Sequence, residues 1–252
     1  MSLLLFAVPG PVGSAGADPL ADACRGAMSE RALFSGINDE GSLAIFYETG
    51  PQGTDSLRLA DIGASPLIEV SALRDALRPW IGRPVVVYPI DKRRDRWQRR
   101  VAHVESVADE GQWEPVWLQK VLVQAGLVEV RPEGTEPGCA RALYRGERRA
   151  RAAKRGLWRN GGLRILSARD GELGAHAGAY RIVAGIVVSV GVTLRKLYLN
   201  FGRDWSRDFT VTIPAARASA FRAAGRDLDA MVGRYIRVRG WLRRWNGAVI
   251  DV

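Results

Sequence analysis

The stretch SLAIFYETG at 42–50, PQGT at 51–54 and DSLRLADI at 55–62 decides the architecture. Its two flanks alternate apolar and polar side chains, the period of a strand with one buried face, and the Pro/Gly-rich middle is turn chemistry, so the stretch predicts a β-hairpin. Working toward the C-terminus, 69–80 predicts a short helix with Val70, Leu73, Ala76 and Leu77 at three-and-four spacing. Gly82 ends it, and PVVVYP at 84–89 reads as a buried strand. After the basic DKRRDRWQRR at 91–100 comes a further strand over 101–107. Leu118, Val121, Leu122 and Ala125 line one face of a helix over 117–125 that Gly126 stops. An arginine-rich helix follows over 140–155, closed by Gly156, Leu157 and Trp158. The first half is therefore mainly β with helices, an α+β class.

Residues 159–178 are polar and glycine-rich, which places a domain boundary there, with 161–179 as linker. Beyond it, 181–190, 193–201 and 208–213 predict three strands, 214–232 a helix, and 235–242 and 248–252 two more strands. Three strands, a helix and two strands is the order of an OB-fold, a small five-stranded barrel, so 180–252 is expected to form a second, OB-like module.

The chain has 252 residues, 37 basic and 27 acidic, for a net charge of +10. That composition excludes a largely disordered or collagen-like chain, and no stretch of about 20 apolar residues predicts a membrane span. The charge is clustered: 91–100 carries a net +4 and 141–159 a net +7, so the remainder is near neutral. Such clustering points to an anionic partner such as nucleic acid. Residues 1–17 contain a short apolar run and Ala15-Gly16-Ala17, an A-x-A-type cleavage pattern without a basic n-region, which predicts an exported, periplasmic protein. Cys24 and Cys139 pair as a disulfide if the chain is exported and are two buried thiols if it is cytosolic. His103 and His176 are isolated and read as packing or surface residues.

Several ordered segments resemble the staphylococcal-nuclease-like (thermonuclease) family over residues 40–159. LRLADI at 57–62 is similar to the family's "vRLaGI" strand, GRPVVV at 82–87 to its next strand, and DRWQRRVAHV at 95–104 to "D-x-Y-G-R-x-x-A-x-V". WLQKVLVQAGLVEV at 117–130 is similar to its "W-l-q-x-x-L-V-x-x-G-x-A-x-V" helix, and Glu147, Arg151 and GLW at 156–158 to its "E-x-x-A-R…G-l-W" ending. The resemblance implies a five-stranded OB barrel over 18–160 and a site that hydrolyses phosphodiesters with Ca²⁺, two aspartate ligands, a glutamate base and two arginines. Arg58 and Arg99 match the arginines. The carboxylates do not match: Ser42 and Gly63 stand at the two metal-ligand positions and Pro66 at that of the base.

A pocket so altered keeps groups that bind phosphate, Arg58, Arg99 and the neighbouring Arg96, without ligands for a hard cation. The expected function is thus non-catalytic: a nucleic-acid-binding module or a protein-assembly module that needs no cofactor. One alternative is a Ca²⁺-dependent nuclease that uses displaced carboxylates, with Asp61, two residues from Gly63, and Glu69 as candidates. A second is a structural subunit of a larger protein complex. Trp117 and Trp158 are expected in the core. Trp97, Trp205, Trp241 and Trp245 are the candidate exposed aromatics for base stacking.

Overall fold

Alternation of apolar and polar residues builds the strands, and in a computed structural model of the protein they assemble into two separate units, 1–162 and 163–252. The structure describes residues 19–26, 28–37, 44–48, 54–108, 114–133, 137–159, 162–204 and 206–252. The leader-like segment 1–17, Ser42 and Trp205 lie outside these residues. The chain is α+β, dominated by strands.

In the first unit the strands are β1 (Glu30–Ile37), β2 (Ala44–Glu48), β3 (Thr54–Leu59), β4 (Ile62–Gly63), β5 (Pro84–Arg94), β6 (Arg100–Ser106) and β7 (Glu129–Val130). Five of them close a barrel in the order β1-β2-β3-β6-β5. Its neighbours are antiparallel except β3 and β6, which run parallel with Arg58 opposite Val101. Leu57 and Leu59 on β3, Val85 and Val87 on β5 and Val104 on β6 point into a core that Phe34 also fills. Strand alternation then leaves Arg58 on the opposite face.

Helices α1 (Val70–Leu77), α2 (Leu118–Gln124) and α3 (Pro137–Ala152) belong to this unit. Trp117, Leu118, Leu122 and Leu143 are fully buried in its core, and Trp158 is buried as expected. Gly126, at φ +72°, ends α2; a side chain there would overlap the Arg155 carbonyl. The N-terminal segment is fastened twice. Cys24 and Cys139 form a disulfide with their Cα atoms 5.0 Å apart and a sequence separation of 115. The buried Glu105 carboxylate accepts the Leu20 N–H at 2.8 Å and also pairs with Arg25 at 3.3 Å.

The second unit contains β8 (Ile165–Ser167), β9 (Tyr180–Ile186), β10 (Ser189–Val192), β11 (Lys196–Asn200), β12 (Thr210–Pro214), α4 (Ala215–Ala223), β13 (Tyr235–Trp245) and β14 (Gly247–Asp251). The strands form a curled seven-stranded sheet in the order β10-β11-β12-β14-β13-β9-β8. The stretch 181–190, expected as one strand, divides at Val187–Val188. There the Val187 N–H bonds the Arg234 carbonyl at 3.0 Å and the Val188 N–H bonds the Asn200 carbonyl at 2.7 Å, so the chain passes from one side of the sheet to the other. Leu197, Leu199, Phe209, Val211, Leu242 and Ile250 form the core of this unit.

Two sequence expectations shift here. The 161–179 stretch is not a bare linker: Ile165–Ser167 pairs in parallel with β9, and Leu173 is buried. The helix expected over 214–232 ends at Ala223, and Asp229–Met231 forms only a 3-10 turn.

Candidate functional site

The parallel pairing of β3 with β6 sets Arg58 beside the tip of the β5–β6 hairpin. Asp95 organises that tip. Its Oδ1 accepts the backbone N–H of Trp97 at 2.9 Å and of Arg99 at 3.0 Å, while Gln98 takes the left-handed φ of +62° that the turn requires. Asp95 Oδ2 accepts Arg99 Nε at 2.9 Å, with Arg99 Nη2 at 2.8 Å and Arg58 Nε at 3.7 Å. The two terminal nitrogens of Arg58 donate to the two oxygens of Glu133 at 2.6 and 2.8 Å, a bidentate pair.

Arg58 and Arg99 thus share one cluster with Asp95 and Glu133, two cations with two anions. Burial alone would push the Asp95 carboxyl up. The hydrogen bonds from the Arg99 side chain and from the Arg99 and Trp97 backbone, together with the Arg99 charge, outweigh it and hold the group below the usual aspartate range.

Asp61 does not share the face of Gly63. The strand breaks between β3 and β4, where Asp61 takes a φ of +60°, so the alternation that would align 61 with 63 is lost. The fully buried Asp61 carboxylate turns inward instead. Oδ1 accepts the Glu133 N–H at 2.9 Å and Oδ2 lies 3.5 Å from His103 Nε2. His103 Nδ1 faces the Gln119 amide nitrogen at 3.2 Å. Gln119 is fixed by donating to the Ala102 carbonyl and accepting the Val104 N–H, so Nδ1 is the acceptor and Nε2 carries the proton. The Cys139 sulfur lies 3.3 Å from Nε2. Cys24, His103 and Cys139 gather metal-type atoms, but both sulfurs are spent in the disulfide and the ring nitrogen is a donor. This is a structural core, with His103 as a packing residue.

Gly63 pairs with Glu129 in the β4–β7 ribbon, and the Arg131 side chain covers it. A Cβ at position 63 would overlap Cδ, Nε and Cζ of Arg131, whose Nη2 donates to the Ala64 carbonyl at 2.9 Å. Pro66 sits exposed in the following turn, and Glu69 is exposed at the N-terminal boundary of α1, making no hydrogen bond or ion pair with Arg58 or Arg99 among the described residues. A hard cation does not fit this donor set. The carboxylates beside Arg58 and Arg99 are taken up by guanidinium groups, and a third guanidinium fills the space over Gly63.

Outside the cluster, Trp97 is 57% exposed at the hairpin tip, with the Arg96 guanidinium 3.8 Å and that of Arg99 4.7 Å from its ring centre. Trp245 is exposed in the β13–β14 turn. Trp241 is also exposed and makes an edge contact with Tyr180. On α3, Arg141, Arg145, Arg148 and Arg149 are exposed, whereas Glu147 is buried and accepts the Val130 N–H at 3.2 Å.

Sequence reading named Arg58 and Arg99 but missed Glu133, which pairs with Arg58, and Arg131, which covers Gly63. Glu133 stands 75 residues from Arg58 in a segment, RPE, that reads as ordinary loop, so no local pattern marks it. Compared with known proteins, the chain matches no family model and no curated protein.

Proposed function

We propose that the chain is a non-catalytic thermonuclease-like protein that binds nucleic acid. In this reading the first unit is an OB-type barrel, with one parallel strand pair in an otherwise antiparallel closed sheet, and the second unit is an OB-like module. The observation that carries the loss of catalysis is Arg131 lying over Gly63, a fixed positive charge where the resemblance asks for a metal-binding carboxylate. That guanidinium, paired with the buried Glu129 carboxylate at 3.5 Å, fills the space a metal ligand at position 63 would need, and Pro66 at the base position offers no proton acceptor. Nucleic-acid binding is supported by the four exposed arginines of α3 and, at the hairpin tip, by the exposed Trp97 ring beside the Arg96 guanidinium. The Cys24–Cys139 disulfide supports an exported, periplasmic setting.

The test incubates the full chain with plasmid and with single-stranded DNA and RNA in Ca²⁺, Mg²⁺ or Mn²⁺. The expected result is intact polymer together with binding that weakens steeply as salt rises, since phosphate contacts release counterions. Ca²⁺-dependent cleavage that chelator blocks and Arg58→Ala abolishes would overturn the non-catalytic reading. Absence of salt-sensitive binding would overturn the nucleic-acid reading.

A further inference from the structure

The second unit carries a groove of about 830 Å³ on the outer face of its sheet, within the size range of small-ligand sites. Strand register builds its floor. Tyr198 on β11 lies opposite Gly191 on β10 and Thr212 on β12, and Thr212 lies opposite Asp251 on β14. In the next row Asn200 faces Thr210, and Thr210 faces Val249, which pairs with Arg243. The intervening residues, Leu197, Leu199, Val211 and Ile250, point the other way into the core. Two turns wall the groove: Thr193–Arg195 between β10 and β11, and Trp245–Asn246 between β13 and β14. Leu194 at one turn is fully exposed, and Trp245 at the other is 69% exposed.

The groove combines aromatic faces, neutral hydrogen-bonding side chains and a cationic rim. Its single acid, Asp251, is already engaged: it bonds Thr212 and Arg243 and lies 3.5 Å from Lys196 Nζ. Arg195, Lys196 and Arg243 therefore leave the lining net positive, which selects an anionic occupant. The groove runs across the face of paired strands, with the edge strand β10 at one border, so most of its floor offers an extended peptide no ladder of backbone donors and acceptors. What it meets is rings and side-chain polar groups. Flat bases satisfy the first and phosphates satisfy the rim, while Asn200, Thr210 and Thr212, bonded to Ser189, Asn200 and Asp251 respectively, make a polar floor beneath them.

We infer that this groove binds a short stretch of single-stranded nucleic acid, with Trp245 and Tyr198 as stacking platforms. The inference rests on the nucleic-acid reading above and names a site for it. A duplex keeps its base faces stacked on one another, so the aromatic contribution belongs to single strands.

The test measures binding of fluorescein-labelled decathymidylate to the full chain by fluorescence anisotropy, with a duplex of the same length and a glutamate decapeptide as competitors. Trp245→Ala and Tyr198→Ala are each expected to weaken binding of the single strand by about tenfold. Trp245→Phe should retain most of the affinity, and the duplex should compete poorly. Trp245 is a surface residue, so its removal leaves the thermal melt unchanged, which circular dichroism checks. Wild-type affinity in both alanine variants would overturn the groove assignment while leaving the broader reading standing, and Arg96→Ala with Trp97→Ala would then locate the site on the first unit. A glutamate peptide that displaces the oligonucleotide at equal concentration would overturn the assignment in favour of an acidic polypeptide. No binding of decathymidylate or duplex by the wild type would overturn both readings.

Discussion

Arg131 and Gly63 are complementary in volume: because position 63 lacks a side chain, the Arg131 side chain passes over it and reaches the Ala64 carbonyl. At the tip of the β5–β6 hairpin, Asp95 serves fold and charge at once, since one oxygen shapes the tip and the other holds Arg99. Asp95→Asn is expected to cost about 1–3 kcal/mol, the scale of charge-assisted hydrogen bonds, as read from urea denaturation. The effect depends on pH. The folded carboxyl titrates below its unfolded value, so the wild-type advantage is complete above the ordinary aspartate pKa of about 4 and fades as pH falls through the lower folded value. Equal stability of wild type and variant at neutral pH would remove Asp95 from that role. How far residues are legible in the sequence follows from this cluster. Arg58 stands in a recognisable strand and Arg99 just before one, whereas Glu133 acquires meaning only when the chain returns past β7.

At the scale of elements, strands read well wherever apolar residues alternate, as in β3 and β11, because a half-buried sheet face imposes that period, whereas β5, expected over 84–89, runs on to Arg94 into a stretch that reads only as charge. They read poorly where backbone conformation intervenes. The turn at Ala60–Asp61 separates β3 from β4 with no Gly or Pro to announce it, and that break alone turns Asp61 toward His103 instead of the position 63 side. Helix α3 shows the reverse case. Its sequence reads as a block of charge, yet folding sorts that block, burying Glu147, Leu143 and Ala150 and exposing Arg141, Arg145, Arg148 and Arg149. If this stripe meets phosphates, replacing all four arginines by Gln should lower the slope of log affinity against log salt by about 3. A slope unchanged within error would mean that the stripe is only a solvated face. The same helix anchors the N-terminal segment through Cys139, and breaking that link with Cys139→Ser is expected to cost about 4 kcal/mol given the long loop it closes. Thermal melts with and without reductant check this, and coincident melts would show the link to be neutral.

For the whole molecule, the net charge of +10 divides among surfaces of different character. In the first unit, part of it is internally balanced, as where Arg58 and Arg99 meet Glu133 and Asp95. Part of it is exposed on α3. In the second unit, a smaller excess rims the groove beneath Trp245. Two units with separate cores were legible from the glycine-rich stretch between them, but the groove was not, because it depends on which strands become neighbours: β12 beside β14, and β11 beside β10. The Cys24–Cys139 bond gives the first unit one more property, this one topological. It turns residues 24–139 into a covalent ring that holds the entire strand barrel, β1 to β6. A protease that cuts once anywhere inside that ring opens it without releasing a piece, so a nicked chain runs as two fragments on a reducing gel and stays a single mass without reductant.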